Sequence, residues 1–123
     1  MPRRILVVDD NLVLADTLAK LLTLKGHKVD TTYGGEEAVA RALTYPADVI
    51  LLDIGMPRMN GYEAARRIRE QQQEGLRLVA LTGWGQEKDR RRSEEAGFDA
   101  HLVTPVDLEA LDDLLAEWRG AND

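Results

Sequence analysis

The chain has 123 residues, no cysteine and a formal net charge of -6 at neutral pH. This length suits one domain with a continuous core, which we expect to comprise residues 1–123. The lack of cysteine excludes disulfides and thiolate metal sites, and no signal-peptide core or membrane span can be drawn, so we expect a cytoplasmic protein without a membrane partner. The negative charge disfavours direct nucleic-acid binding, which requires clustered Lys and Arg.

In the first part of the chain, two strand patterns alternate with two helical patterns. The strands are predicted at residues 5–8, a continuous apolar run, and at 28–33, whose alternating pattern is typical of a sheet edge. The apolar residues of the first helix follow helical spacing: Leu14, Leu18, Leu21 and Leu22. The second helix must end before Pro46.

The second part of the chain repeats this alternation three times. Short apolar strands are predicted at residues 49–52, 78–81 and 101–103. The third helix begins after Asn60, which can cap it, and the fourth covers about residues 86–96. The fifth helix follows the cap residue Asp107, and its buried face is predicted from helical spacing: Leu108, Leu111, Leu115 and Trp118.

Five strand-then-helix units without a break in composition predict one open α/β sheet with helices on both faces. Ligands of such sheets bind at the carboxyl ends of the strands, where Asp9, Asp10, Asp53 and Thr82 would converge. Three carboxylates at one edge repel one another unless a cation or protons compensate, and an oxygen-rich cluster suits Mg²⁺. We therefore predict a Mg²⁺ site, beside which Asp53 could attack a phosphoryl group while the Thr82 hydroxyl donates to one of its oxygens.

Three segments of the sequence resemble the signature blocks of two-component response regulator receiver domains: ILVVDDN at 5–11, VILLDIGMPRMNG at 49–61 and ALTG at 80–83. The resemblance covers nearly the whole chain. It implies a flavodoxin-like fold, a doubly wound five-stranded parallel sheet of strand order 2-1-3-4-5. It also implies a phosphoacceptor in a phosphorelay rather than an enzyme, with at most intrinsic phosphotransfer and autodephosphorylation activity.

The resemblance also implies partners and residue roles. A histidine kinase or histidine phosphotransfer protein would donate the phosphoryl group, and a downstream output domain or protein would respond to the surface of the fourth and fifth units. By matching position, Asp53 is the phosphoacceptor, and Asp10, Asp53 and the backbone carbonyl of Gly55 are the Mg²⁺ ligands. Asp9 contributes indirectly as a second acidic residue, and Thr82 is the hydroxyl that follows the phosphoryl group.

Two positions depart from the pattern of the receiver family. The lysine that precedes the proline of the fifth loop is replaced by Thr104, before Pro105, and none of the four lysines lies nearby in the sequence. The aromatic switch position, three residues earlier, is occupied by His101. Since a hydroxyl cannot supply the positive charge of an ammonium, we expect slow phosphorylation and weak switching. The bond before this proline is commonly cis in receiver domains, and we expect it to be cis here.

Other interpretations of the sequence remain open. The loss of the lysine at Thr104 would also fit a receiver-like binding module that acts independently of phosphorylation. A phosphohydrolase with an aspartate nucleophile would usually need a second aspartate two residues after Asp53, where this chain has Gly55, so this interpretation ranks last. The sequence leaves open whether the chain is a stand-alone regulator or one domain of a longer protein, and whether it forms a homodimer.

Overall fold

The structure, a computed structural model, describes residues 2–83 and 90–122. The strands are β1 (Arg4–Val8), β2 (Lys28–Thr32), β3 (Val49–Asp53), β4 (Arg77–Thr82) and β5 (Ala100–Val103). The helices are α1 (Leu12–Leu24), α2 (Gly35–Thr44), α3 (Gly61–Glu70), α4 (Arg90–Ala96) and α5 (Leu108–Asn122). All strands pair in parallel in the order β2-β1-β3-β4-β5, so the predicted doubly wound, flavodoxin-like α/β fold is confirmed.

The hydrophobic core lies on both faces of the sheet. Successive side chains of a strand point to opposite faces, so Leu6 and Ile50 pack under α2 and α3, while Val7 and Leu51 pack under α1 and α5. The central strands are therefore buried on both sides, as their continuous apolar runs predicted. Strand β2 is only partly buried and occupies a sheet edge, which confirms the interpretation of its alternating pattern.

Side-chain caps fix the beginning of two helices. The Asn11 side chain accepts a hydrogen bond from the backbone N–H of Leu14 at 3.1 Å, and Asn60 accepts one from Glu63 at 3.0 Å. The cap predicted at Asn60 is thus confirmed. For the predicted fourth helix, residues 86–89 lie outside the described residues, and α4 is described from Arg90 onwards. None of the helices in the described part of the chain is long and apolar enough to cross a membrane.

The first helix is confirmed, but its apolar residues are not all buried. Ala15, Leu18 and Leu22 are buried, whereas Leu14 is 45% exposed and Leu21 is 39% exposed. Apolar residues occupy most positions of α1, so two helical stripes overlap, and only one of them can face the sheet. The helix therefore leaves apolar side chains in solvent.

A guanidinium group connects three segments at the amino edge of the sheet. Arg69, near the end of α3, donates hydrogen bonds to the carbonyl of Leu76 at 2.7 Å, to the carbonyl of Gly97 at 2.9 Å and to the carboxylate of Asp99 at 2.7 Å. Gly97 has a φ of +101°, and a Cβ built on it would lie 2.7 Å from Cγ of Arg69. The end of α4 is therefore held against α3 by charge-assisted hydrogen bonds and by close contact.

Candidate metal site at the carboxyl edge of the sheet

Three aspartates meet where β1 and β3 end. These strands are neighbours in the sheet, and Val8 is paired with Leu52, so the residues that follow them, Asp9 and Asp53, come side by side. Carboxylate oxygens of Asp9, Asp10 and Asp53 all lie within 4.8 Å of one another. Asp9 is buried, Asp53 is half-buried and Asp10 is exposed. The structure thus brings together the three acids that the sequence placed at this edge.

Backbone N–H groups orient two of these carboxylates. Oδ1 of Asp9 accepts a hydrogen bond from the N–H of Asn11 at 2.9 Å, and Oδ1 of Asp53 accepts one from the N–H of Gly55, also at 2.9 Å. Each of these two acids is therefore held by the backbone two residues further on. Gly55, whose carbonyl is an expected metal ligand, lies directly after β3 in the same loop.

The cluster carries excess negative charge. Burial raises the pKa of Asp53 to about 7, the nearby Asp9 and Asp10 carboxylates act in the same direction, and the N–H of Gly55 opposes them. Burial also raises the pKa of Asp9. Among the ion pairs of residues 2–83 and 90–122, none involves these three acids. Protons or an external cation must balance the cluster, and a set of carboxylate oxygens is a donor set that suits Mg²⁺.

Gly61 approaches the backbone of the Asp53 loop closely and supports it. This role of Gly61 was not predicted from the sequence. A Cβ built on Gly61, the first residue of α3, would lie 2.5 Å from the carbonyl oxygen of Asp53 and 2.5 Å from Cα of Ile54. Only glycine leaves room for this contact. A glycine at the first position of a capped helix, where it lowers helix propensity, was the available signal.

Thr82 ends β4, beside β3. In the register of the two strands Asp53 is paired with Leu81, so Thr82 lies one residue beyond the level of Asp53. Its side chain is 1% exposed, and its hydroxyl has no hydrogen-bond partner in the part of the chain that the structure describes. A buried hydroxyl without a partner is unfavourable, so this group is available for a ligand oxygen.

The fifth loop begins with Thr104, which is bonded to the backbone. Its N–H and its hydroxyl both donate to the carbonyl of Thr82, at 2.8 Å and 3.2 Å. The bond between Thr104 and Pro105 is cis, so that prediction is confirmed. His101 lies on β5, half-buried and paired with Ala80 of β4.

The order of the strands and the acids at the ends of β1 and β3 define a flavodoxin-like protein with an acidic site suited to a metal ion. The family model of the response regulator receiver domain matches residues 5–116, and the chain belongs to this family. Receiver domains act in two-component signalling, where they are phosphoacceptors rather than classical enzymes and bind Mg²⁺ at an acidic site.

The relatives agree with this assignment. The chain is 35% identical over 108 residues to the response regulator ArlR of Staphylococcus aureus, which covers 88% of the chain and 48% of ArlR, so it spans about half the length of the curated relatives it matches. The receiver domain of the sensor histidine kinase PA1611 from Pseudomonas aeruginosa, with a magnesium ion coordinated in its active site cleft, superposes with a TM-score of 0.83 at 32% identity, covering 98% of this chain and 99% of that one.

A further similar structure contains a phosphotransfer partner. It is the co-crystal structure of the Saccharomyces cerevisiae histidine phosphotransfer protein Ypd1 with the receiver domain of its downstream response regulator Ssk1. The TM-score is 0.86 at 27% identity, and the match covers 95% of this chain and 88% of that one.

Proposed function

We propose that this chain receives a phosphoryl group on Asp53 from a histidine kinase or histidine phosphotransfer protein and passes the signal on through its α4-β5-α5 surface. The observation that carries the proposal is the meeting of the Asp9, Asp10 and Asp53 carboxylates, within 4.8 Å, at the carboxyl edge of the sheet. The absence of cysteine suits action in the reducing cytoplasm.

Mg²⁺ is the cofactor that the donor set fits. Asp10, Asp53 and the backbone carbonyl of Gly55 would hold the ion, and Asp9 would act on it indirectly. When bound, Mg²⁺ would favour the ionised carboxylates and neutralise charge on the transferred oxygens.

The chain's own residues would perform the transfer. A carboxylate oxygen of Asp53 forms a bond to phosphorus as the bond from phosphorus to the donor's histidine nitrogen breaks. The hydrogen bond from Gly55 holds the other side of the carboxylate in place. The buried hydroxyl of Thr82, which lacks a partner among the described residues, would then donate to a phosphoryl oxygen.

Thr104 is the reason to expect a weak switch. Its hydroxyl already donates to the carbonyl of Thr82, and it carries no positive charge. In this proposal, phosphorylation draws Thr82 towards the phosphoryl group, and His101 on the neighbouring strand adjusts at the switch position. Without a charged contact from the fifth loop, the active conformation would be only weakly favoured.

A protein donor could dock on the amino end of α1. Leu12, Val13 and Leu14 follow the Asp9-Asp10 pair directly, and they are respectively 56%, 73% and 45% exposed. Clustered exposed apolar side chains are typical of protein interaction surfaces. We expect Val13→Lys to slow transfer from a protein donor at least about fivefold while leaving a small phosphodonor equally effective, and Leu43→Lys, an exposed position on α2, to affect neither.

The acceptor itself is tested with a small phosphodonor and Mg²⁺, measured by intact mass. The parent chain and the control Asp113→Asn, an exposed acid on α5, should each gain one phosphoryl group, and Asp53→Asn should gain none. Titration with Mg²⁺ should show affinity lowered by about tenfold or more in Asp53→Asn and Asp10→Asn. Modification of Asp53→Asn at the parent's rate would refute the assignment.

The second candidate is a receiver-like module that binds its partner independently of phosphorylation. The engagement of the Thr104 hydroxyl with the backbone carbonyl of Thr82 favours it, because the loop then offers no charged group to a phosphoryl oxygen. Binding to the output partner distinguishes the candidates. Equal affinity of the parent, its beryllofluoride complex and Asp53→Asn would support the module, whereas tighter binding of the beryllofluoride complex alone would support the switch.

A further inference from the structure

His27 connects the segment before β1 to the turn that follows α1. Its ring nitrogen Nδ1 accepts a hydrogen bond from the backbone N–H of Arg3 at 2.9 Å. The carbonyl of Arg3 accepts a second one from the N–H of Lys28, also at 2.9 Å. His27 itself is partly buried, and its backbone N–H donates to the carbonyl of Leu22 in α1 at 3.2 Å. Both backbone polar groups of Arg3 are therefore held by the turn between α1 and β2.

The side chain of Arg3 extends this connection to α5. Its guanidinium donates to the carbonyl of Leu115 at 2.9 Å, a hydrogen bond from a charged donor. Leu115 is 5% exposed and belongs to the core between the sheet and the helices α1 and α5. Beside this contact, Nζ of Lys25 pairs with Oδ2 of Asp112 at 2.9 Å. The position of Arg3 therefore bears on how α5 packs against the rest of the domain.

The contact with Arg3 fixes the protonation state of the imidazole. A ring nitrogen that accepts a hydrogen bond carries no proton, so His27 is neutral in this arrangement and its proton is on Nε2. Protonation places a second proton on Nδ1, which would then face the N–H of Arg3, donor against donor. The hydrogen bond between the two residues is lost in that state.

The charges around His27 oppose its protonation on balance. The charged groups on the elements packed against it are Arg3, Lys25, Lys28, Asp112, Asp113 and the amino-terminal group. Burial lowers the pKa of His27 from its usual 6.5, and Asp112 opposes this effect, whereas the amino-terminal group, Arg3 and Lys25 add to it. The neutral form therefore stabilises the fold above the usual pKa, and this contribution is lost as the pH falls through the lowered pKa.

We propose that His27 is a pH-sensitive latch on α5: its neutral imidazole holds Arg3, Arg3 holds the carbonyl of Leu115, and protonation breaks the first contact and loosens the second. The latch lies at the amino edge of the sheet, since His27 precedes β2, whereas the acidic cluster lies at the carboxyl edge. Because α5 is part of the surface proposed to pass the signal on, acidification would alter that surface without modification of Asp53.

The latch is tested on the full chain without Mg²⁺ or a phosphodonor, by NMR between about pH 8 and about pH 5.5. At the higher pH, the ring nitrogens of His27 should show the tautomer with the proton on Nε2. As the pH falls, the amide shifts of Arg3 and Ala116 should change with the midpoint of the His27 ring, below 6.5. The N–H of Ala116 reports on α5 because it shares a peptide group with the Leu115 carbonyl. Hydrogen-exchange protection of the Arg3 amide should fall at least about threefold.

Two variants separate the imidazole from other titrating groups. His27→Asn keeps an acceptor near the position of Nδ1 but does not titrate, so the Arg3 and Ala116 amides should lose this titration. His27→Leu has no acceptor, so the Arg3 amide should be as weakly protected at the higher pH as it is in the acidified parent. Both variants retain His101 and all the acids, whose titration therefore stays in the background. The proposal is overturned if His27 carries its proton on Nδ1 at the higher pH, or if Arg3 and Ala116 titrate unchanged in His27→Asn.

Discussion

The loop between β3 and α3 and the loop between β5 and α5 leave the sheet at the same edge, and they differ in the contacts that they make beside the acidic cluster. In the loop between β3 and α3, the N–H of Gly55 orients the Asp53 carboxylate, and Gly61 packs against the Asp53 backbone. In the loop between β5 and α5, the hydroxyl of Thr104 is bonded to a backbone carbonyl, and the space beside it is an apolar pocket. Under the proposed function, this chain is therefore built more completely for positioning Asp53 than for responding to its phosphorylation.

The largest effect is expected from crowding the first loop. Gly61→Ala places a methyl group 2.5 Å from the Asp53 carbonyl, and overpacking against backbone should lower the free energy of unfolding by about 3 kcal/mol. Gly34→Ala is the control, since its Cβ would meet only Oε1 of Glu37 at 3.9 Å, and it should cost less than about 1 kcal/mol. Chemical denaturation measures both. An equal loss of unfolding free energy in the two variants would show that the loop between β3 and α3 can shift to accommodate the methyl group.

The charge of the first loop can be titrated. The pKa of Asp53 is raised from an ordinary 3.8 to about 7, so its stabilising contribution is complete below the unfolded value and is lost as the pH rises through about 7. In EDTA, the parent should therefore lose about 2 kcal/mol relative to Asp53→Asn between pH 5 and pH 8, allowing for solvent screening. Denaturation curves at both pH values measure this difference. A constant difference would mean that the carboxyl group titrates near its ordinary value.

A positive charge in the loop between β5 and α5 should give that loop the contact to the acidic cluster that it lacks. Thr104→Lys should raise the rate of phosphorylation by a small phosphodonor about tenfold, because a hydrogen bond to a charged group contributes roughly 1.5 to 3 kcal/mol and 1.4 kcal/mol is a factor of ten. It should also increase thermal stability without Mg²⁺ by relieving repulsion among the three acids. Thr104→Met controls for side-chain length. Similar gains in both variants would exclude the charge as the cause.

The smallest effect is expected from removing the Thr104 hydroxyl. Thr104→Val loses the hydrogen bond to the carbonyl of Thr82 and should lower the free energy of unfolding by about 0.5 to 1 kcal/mol, while Thr104→Ser retains it. Thermal denaturation of the two variants at one pH checks this. If Thr104→Val is the more stable variant, the hydroxyl is not a structural group of the loop.

The sequence predicted the elements that depend on local pattern and missed features that depend on register. The continuous apolar strands and the Asn60 cap were recognisable because each is a property of neighbouring residues. The bond from Thr104 to the Thr82 carbonyl was not, because it follows from the pairing of β4 with β5. Which leucines of α1 would be buried could not be predicted, because α1 carries two overlapping apolar stripes and the position of the sheet decides which stripe is covered.

The guanidinium of Arg69 anchors the carboxyl end of α4. It holds the Gly97 carbonyl at the edge of the sheet opposite the acids, and because Gly97 has no Cβ, the Arg69 side chain packs directly against its backbone. A helix fixed at one end responds to a push by tilting about that end rather than by translating. A displacement that reaches the amino end of α4 would therefore tilt the helix about its Gly97 end instead of moving it as a whole.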